Sequence, residues 1–332
     1  MTAIADHPLR YPLTNELHAR PFPTLGVPGT AVFIAIKPAE NAAARDRAAD
    51  FHHLTKLLDR HGVAHPPPGA THYFGRIGKF ALKWESHTEF VTYTAFADGV
   101  SARSFDPADF EVFPADWLAE APGMRITSAL VRIDVLKEKE EVVRSLSDWF
   151  VPESLAASYV LDEAAVVAGD FRIDPAGHIR LAVFVAPGTG ARRVGRIVQR
   201  MLEIETYKTM SMLGFARVRE IGSRMGHIDR QLTDLMADMR DEEKSADLTL
   251  AGLLAVSAEL ENLGVQTSFR FGATSAYEAI VHQRIEVMRE TRFDGRQTLN
   301  EFMMRRYDPA MRTVKASEAR LKAMSDRAIR AG

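Results

Sequence analysis

Acidic and histidine side chains alternate in the segment WESHTE, which has the composition of a metal site. Glu85, His87 and Glu89 stand two residues apart, so on a β-strand they would project from one face. One histidine and two carboxylates suit zinc, manganese or iron, and His18 is a further candidate ligand. The spacing predicts a divalent-cation site for a metal-dependent enzyme. The alternative is a polar strand face, because Ser86-His87 also reads as a turn.

A glycine-containing loop follows a predicted strand and opens a predicted helix, where it could hold an anion. The first N–H groups of a helix are unpaired and attract negative charge, and two arginines follow. The predicted anion-binding set is Gly188, Thr189, Gly190, Arg192 and Arg193. The next glycine is Gly195, which fits neither GxGxxG nor the Walker pattern, so an ordinary helix-start turn is the alternative.

The other residues that could carry chemistry favour a protein without catalytic activity. The chain has no cysteine, which excludes disulfides, iron–sulfur clusters, cysteine-ligated zinc and a thiol nucleophile. No serine stands in a GxSxG elbow. His52, His53 and His61 lack the i, i+4 spacing of helical metal ligands, and they are predicted to be surface histidines.

Strand and helix patterns are mixed in the N-terminal part of the chain. An apolar, β-branched run at 30–36 predicts a buried strand, and 39–61 has one apolar helical face. Runs separated by turn residues predict an antiparallel meander at 72–77, 80–85 and 88–96. Further strands are predicted at 126–136, 164–171 and 179–186, with a helix at 137–150. Together these elements predict a mixed α/β domain over residues 1–190.

From residue 191 to 332 the pattern is helical, and apolar residues recur at alternating three- and four-residue steps. The seam is Val218, Ile221, Met225, Ile228, Leu232, Leu235 and Met239. Helices are predicted at 192–239, 247–263, 275–292 and 297–331, with a break at 264–274 and a kink or new start at Pro309. A second heptad run, Met303 to Ala328, predicts an antiparallel bundle within the chain. The predicted fold class is α+β: a mixed α/β domain with antiparallel strands, then a long-helix bundle or coiled-coil stalk.

Charge is unevenly distributed along the chain. The net charge is −2, but residues 284–330 hold twelve Lys or Arg against seven Asp or Glu. This basic helix could face nucleic acid, an anionic membrane or water. It lacks interleaved aromatic residues and any recognised module, so no nucleic-acid partner is expected. The N-terminus has no apolar signal region, and no stretch approaches the ~18–20 apolar residues of a membrane span, so the chain as given is expected to be soluble.

Three segments carry a resemblance to a known family. They read NELHARPF at Asn15 to Phe22, KWESHTEF at Lys83 to Phe90 and RRVGRIVQRMLEIETYKTMSMLG from Arg192 to Gly214. Together they resemble domain-of-unknown-function family 3422, an uncharacterised bacterial family of membrane-anchored proteins. The resemblance implies a cytoplasmic α/β domain, a helical stalk and a C-terminal hydrophobic hairpin, and it carries over no catalytic residues. Because the sequence ends before any hairpin, it is expected to be the soluble portion of an inner-membrane protein.

Two hypotheses of different classes follow. The first is the cytoplasmic portion of a membrane-anchored, homo-oligomeric scaffold or sensor, with a layout similar to CorA-like divalent-cation channels and a link to ion transport. That likeness is one of architecture alone. The alternative is a metal-dependent hydrolase or metal-binding enzyme that uses a divalent cation in the N-terminal domain.

Overall fold

The protein consists of a sheet-containing unit and a helical unit. The structure, a computed structural model, describes residues 4–16, 22–40, 42–240 and 245–331. The sheet unit comprises Met1–Glu205 and Val287–Leu299, and the helical unit comprises Thr206–Glu286 and Asn300–Gly332. A mixed sheet followed by long helices confirms the predicted α+β fold class.

Within the described residues, nine strands form one mixed sheet. The strands are β1 (Gly29–Lys37), β2 (His72–Ile77), β3 (Phe80–Ser86), β4 (Val91–Asp98), β5 (Met124–Val135), β6 (Ala156–Val160), β7 (Ala165–Ile173), β8 (Ile179–Val185) and β9 (Thr291–Arg292). Their order across the sheet is β2-β3-β4-β1-β5-β8-β7-β6-β9. The neighbours β5 and β8 run parallel, and the other neighbouring strands of the described sheet are antiparallel. β1 lies centrally and is covered on both faces, which explains its uninterrupted apolar run.

Helices flank the sheet and make up the second unit. They are α1 (Arg10–Glu16), α2 (Arg47–Arg60), α3 (Ala115–Ala119), α4 (Lys139–Trp149), α5 (Ala191–Asp238), α6 (Ala246–Glu286), α7 (Leu299–Arg306) and α8 (Asp308–Ala331), with 3-10 turns at Ala42–Ala44 and Pro107–Val112. α2 begins later than predicted because Asp46 caps it, accepting hydrogen bonds from the N–H groups of Ala48 and Ala49. α8 begins anew beside Pro309, as the sequence predicted.

The two faces of the sheet differ in polarity. Val32, Ile34 and Ile36 of β1 belong to an apolar core that also contains Leu54 of α2 and Trp117 of α3. The opposite face lies under the first turns of α5 and includes buried threonine and lysine side chains. Side chains alternate along each strand, so each strand contributes to both layers.

In the helical unit, α5 and α6 form an antiparallel hairpin. The guanidinium of Arg224 on α5 bonds Glu259 on α6 at 2.7 Å, and the hydroxyl of Thr274 donates to the Ser211 carbonyl at 3.3 Å. Later residues of α5 thus meet earlier residues of α6. The predicted break at 264–274 is wrong, because α6 continues through it. Its buried positions keep three- and four-residue steps there, so packing outweighs the local glycine and β-branched residues.

α8 completes the helical bundle and runs parallel to α5. Tyr307 and Ser211 share a hydrogen bond of 2.7 Å between their hydroxyls, and Arg320 bonds Asp229 at 2.7 Å. The carboxyl of Asp229 also pairs with Arg327 at 3.1 Å. Two arginines of the basic C-terminal helix are therefore paired with a carboxylate of α5.

Candidate functional site

The segment predicted to bind metal forms a turn in the structure. β3 ends at Ser86 and β4 begins at Val91, so His87 and Glu89 do not alternate with Glu85 along one strand. The predicted projection of all three side chains from one strand face is therefore wrong, because Ser86-His87 opens the turn. His18, the fourth candidate, lies outside the described residues.

The three candidate ligands contact different neighbours. Glu85 pairs with Lys83 at 3.2 Å, and the His87 ring stacks on Phe90 with centroids 4.4 Å apart. Glu89 has no solvent exposure. Among the described residues, no group of three or more His, Asp or Glu side chains is placed to hold a metal ion.

A buried arginine organises this turn. The guanidinium of Arg45 donates to the carbonyl oxygens of Thr88, His87 (2.6 Å) and Phe90 (3.2 Å). It also pairs with Asp50 of α2 at 2.7 Å, and both side chains are almost completely buried. Burial raises the pKa of the Asp50 carboxyl, and the hydrogen bond and charge of Arg45 offset that rise only in part. One guanidinium thus connects three carbonyl groups of the turn to the Asp50 carboxylate of α2.

A buried polar layer lies between the sheet and α5. Glu85, Thr92 and Thr127 are partners in neighbouring strands, with Ala35 between the last two, so they form one row across the sheet. The Thr127 hydroxyl donates to Glu205 of α5 at 3.0 Å. Thr127 and Glu205 are both buried.

A second contact joins the same two layers. The Lys83 ammonium donates to the side-chain oxygen of Gln199 at 2.9 Å, and Gln199 donates to Glu203 at 2.8 Å. Lys83 belongs to the KWESHTEF segment, and Gln199 belongs to the segment Arg192 to Gly214. Two of the three segments that carry the resemblance therefore meet at this layer.

Residues that follow the third segment contact the same helix. Three residues after Phe22, Leu25 donates its N–H to the Ala191 carbonyl at 3.1 Å. A Cβ at Gly195 would overlap the carbonyl oxygen of Pro23. The glycine that fits no nucleotide motif thus has a packing role, because it lets a backbone segment lie directly on α5.

The predicted anion loop is occupied by internal contacts. The Thr189 hydroxyl donates to the Ala164 carbonyl at 3.0 Å, and Arg193 donates to the Leu161 carbonyl and lies 3.6 Å from Asp162. Gly188 has a φ of +82°, Gly190 directly precedes α5, and Arg192 is exposed. The set lies together at the start of α5, and two of its five members bond the β6–β7 turn.

That β6–β7 turn has unusual backbone geometry. Leu161, Asp162 and Glu163 have φ values of 51°, 57° and 60° in succession, although none is glycine. The left-handed region disfavours such residues, so neighbouring contacts must hold the turn. Arg289 bonds Asp162 at 2.8 Å, and Leu161 donates to the Met288 carbonyl at 2.8 Å.

The prediction that His53 is a surface residue is wrong. It is 3% exposed, stacks on Trp117 at 3.9 Å and lies 2.9 Å from the Trp117 carbonyl through Nε2. Nε2–H therefore donates, and Nδ1 accepts from the Tyr93 hydroxyl at 3.1 Å. Burial lowers the pKa of His53 and keeps it neutral. Its spacing in the sequence could have indicated this burial, because His53 lies four residues before Leu57, which belongs to the predicted apolar face.

A cavity of about 500 Å³ opens beside the end of β4. Its charged and aromatic lining includes His61, Lys79, Phe80, Asp98, Asp109 and Glu111. Asp109 already accepts a hydrogen bond from the Ser101 hydroxyl at 2.5 Å. A lining with both signs of charge could admit a small polar molecule.

The heptad seam is packed inside the helical unit for most of its length. Val218, Ile221, Met225, Ile228 and Leu232 are buried, Leu235 is half-buried and Met239 is exposed. By length and composition, α6 is the described helix that could cross a membrane, which is weak evidence because core helices of soluble proteins meet the same condition. Its packed face carries Leu253, Val256, Leu260 and Leu263.

The chain is an α+β protein. Most of the polar side chains that the sequence analysis identified as candidates form contacts that connect its structural elements. The family model described as "Protein of unknown function (DUF3422)" matches residues 5–332, so the chain belongs to that family. The match confirms the resemblance to the unknown-function family, whereas the membrane anchor and the CorA-like layout stay predictions. No curated protein and no solved structure gives a significant match.

Proposed function

We propose that this protein is a non-catalytic scaffold that acts as a homo-oligomer, with the exposed face of α6 as its contact surface. The proposal rests on a stripe of exposed residues along α6 that contains no charged residue, called the α6 stripe. Its members are Leu248, Ala251, Ala255, Ala258, Asn262, Val265, Phe269, Gly272, Ala276 and Ala279. Phe269 is 48% exposed and Val265 is 68% exposed.

An uncharged stripe of this length is unusual for a solvated helix. The exposed positions of α8 include Arg312, Glu318, Lys322 and Arg330, as expected for a face in water. Ten successive stripe positions of α6 lack such groups. Long exposed surfaces of this kind indicate an interaction site.

A protein partner explains α6 better than a lipid bilayer does. The opposite face of α6 packs within the helical unit and buries Thr249, Thr267 and Thr274. Glu278 on that face pairs with Lys315 of α8 at 2.8 Å. Crossing a membrane would break these contacts and transfer polar side chains into hydrocarbon.

The wider role follows from the family resemblance. Anchoring to the cytoplasmic face of the bacterial inner membrane through a further C-terminal segment stays a prediction, as does a sensor role with a CorA-like layout and a link to ion transport. The metal-dependent hydrolase or metal-binding enzyme also stays an alternative, with His18, Glu85, His87 and Glu89 as its candidate residues.

Light scattering of the purified chain tests the proposal. The monomer mass is 36.9 kDa, and we expect a multiple of it at high protein concentration. Val265→Asp and Phe269→Asp should raise the dissociation constant at least tenfold, because each places a carboxylate in the contact. Ile329→Asp is the matched control, since Ile329 is 73% exposed on α8, and it should leave the mass unchanged.

Two results would contradict the proposal. One is a strict monomer at all concentrations. The other is an oligomer whose dissociation constant changes equally in the α6 variants and in the Ile329→Asp control.

A further inference from the structure

We infer that α6 pairs with α6 of a second copy in an antiparallel arrangement, about a two-fold axis that passes between Leu263 and Gly264. The inference rests on the proposed function and specifies the partner surface and its direction. It follows from the spacing and the sizes of the residues in the α6 stripe.

The spacing of the stripe is the same read in either direction. Steps of three and four residues alternate from Leu248 to Ala279, beginning and ending with a step of three. If the α6 helix of a second copy is reversed about the centre of the stripe, every stripe residue therefore lies opposite a stripe residue of that copy. A two-fold interface requires this self-complementarity.

Residue size favours the antiparallel direction. Reversal places Phe269 opposite Ala258, Leu248 opposite Ala279 and Val265 opposite Asn262, so each large side chain meets a smaller one. A parallel pair would place Phe269 on Phe269 and leave a gap at Gly272. Alternation of large and small residues across a contact gives closer packing.

The edges of the stripe are compatible with this pairing. In the antiparallel register the exposed Glu261 lies beside Ser268 of the partner subunit, whose hydroxyl can donate to the carboxylate. No like charges face each other along that edge, where the neighbouring heptad positions are Leu254 and Ser275.

The contact is large enough for reversible association. From Leu248 to Ala279 the helix extends about 47 Å, and a strip about 11 Å wide on each partner gives about 1,000 Å² in all. That value lies at the lower limit for specific interfaces. A concentration-dependent dimer is expected.

Cysteine cross-linking tests the direction, because the chain contains no cysteine of its own. Ala258→Cys and Phe269→Cys proteins are purified separately, mixed and treated with a mild oxidant or a short bis-maleimide. We expect a cross-linked dimer in the mixture and little in either protein alone. Equal residues would lie about 16 Å apart along the antiparallel axis, too far for a disulfide.

The outcomes separate the inference from the proposed function. Cross-linking of each protein with itself would indicate a parallel pair, which overturns the inference and leaves the scaffold proposal standing. An oligomer by light scattering without any of these cross-links would place the contact on another surface and overturn the inference. A monomer would overturn both proposals. A monomer that sediments with phosphatidylglycerol vesicles would assign the stripe to lipid and also overturn both.

An Ile329→Cys protein mixed with Ala258→Cys is the control. It should give no specific cross-link, because Ile329 is exposed on α8 outside the stripe.

Discussion

His53 joins α2 to β4 and α3 through its two ring nitrogens, and the Trp117 indole N–H returns a bond of 2.9 Å to the His53 carbonyl. We expect His53→Ala to lower the free energy of unfolding by about 2–4 kcal/mol. The substitution leaves a cavity and removes one hydrogen-bond partner each from the Tyr93 hydroxyl and the Trp117 carbonyl. Urea unfolding followed by tryptophan fluorescence measures the change.

His52 provides a matched control for this prediction. It is the adjacent residue on α2 and is exposed, so His52→Ala should change stability by no more than about 0.5 kcal/mol. Equal effects of the two substitutions would mean that the His53 contacts contribute little.

At the residue scale, the sequence could identify polar residues of interest but not their roles. Glu85 and His87 lie beside Thr92 on the sheet surface that meets α5, but the turn at Ser86-His87 separates the directions of the Glu85, His87 and Glu89 side chains. The partner that organises the turn is Arg45, which is separated from it by about forty residues. Contacts between such distant residues leave no local pattern in a single sequence.

At the element scale, Gly195 decides how closely the segment after Phe22 can approach α5. We expect Gly195→Ala to destabilise the protein by about 2 kcal/mol or more, because the added methyl group meets the backbone of Pro23 rather than a movable side chain. Thermal unfolding and proteolysis of the N-terminal segment both report the change.

Gly222 is the control within the same helix. A Cβ at Gly222 would have nothing within 4 Å, so Gly222→Ala should stabilise α5 by up to about 1 kcal/mol. If both alanine variants were stabilised alike, the close approach of Pro23 to Gly195 would be contradicted.

Periodicity predicted the strongly patterned elements and missed those formed by long-range pairing. The α5 and α8 heptads and the strand pattern at 72–77 could be predicted because each buries one repeating face. β6 and β9 are short and were not predicted, since β9 exists only through its pairing with β6. The break predicted at Gly264 was wrong, because the bundle holds α6 helical there.

For the whole molecule, two buried histidines should make stability depend on pH. Burial lowers the pKa of His53 and of His178 below the ordinary value of 6.5. A histidine with a lowered folded pKa contributes stability that is complete above 6.5 and is lost as pH falls below it. We expect unfolding free energy to fall by about 1 kcal/mol per histidine between pH 7.5 and pH 5.5, measured by urea unfolding.

Two carboxyl groups act at lower pH and in opposite directions. The bond from Arg320 lowers the pKa of Asp229, so its contribution is lost as pH falls below about 3.8. The raised pKa of Asp50 gives a contribution that is complete below 3.8 and is lost as pH rises through the raised folded pKa. In the His53→Gln variant, the fall in unfolding free energy between pH 7.5 and pH 5.5 should be about half as large as in the unaltered protein. An unchanged fall would show that groups other than His53 cause it.

The segment Val287–Leu299 completes the sheet unit from a distant part of the chain. There β9 pairs with β6, and Phe293 is buried in the apolar core. A ribosome adds about 5–20 residues per second, so the roughly 95 residues from Thr206 to Leu299 take about 5–20 s to make. During that interval the nascent sheet has an unprotected edge at β6, and the speed of translation sets how long it can pair with another nascent chain.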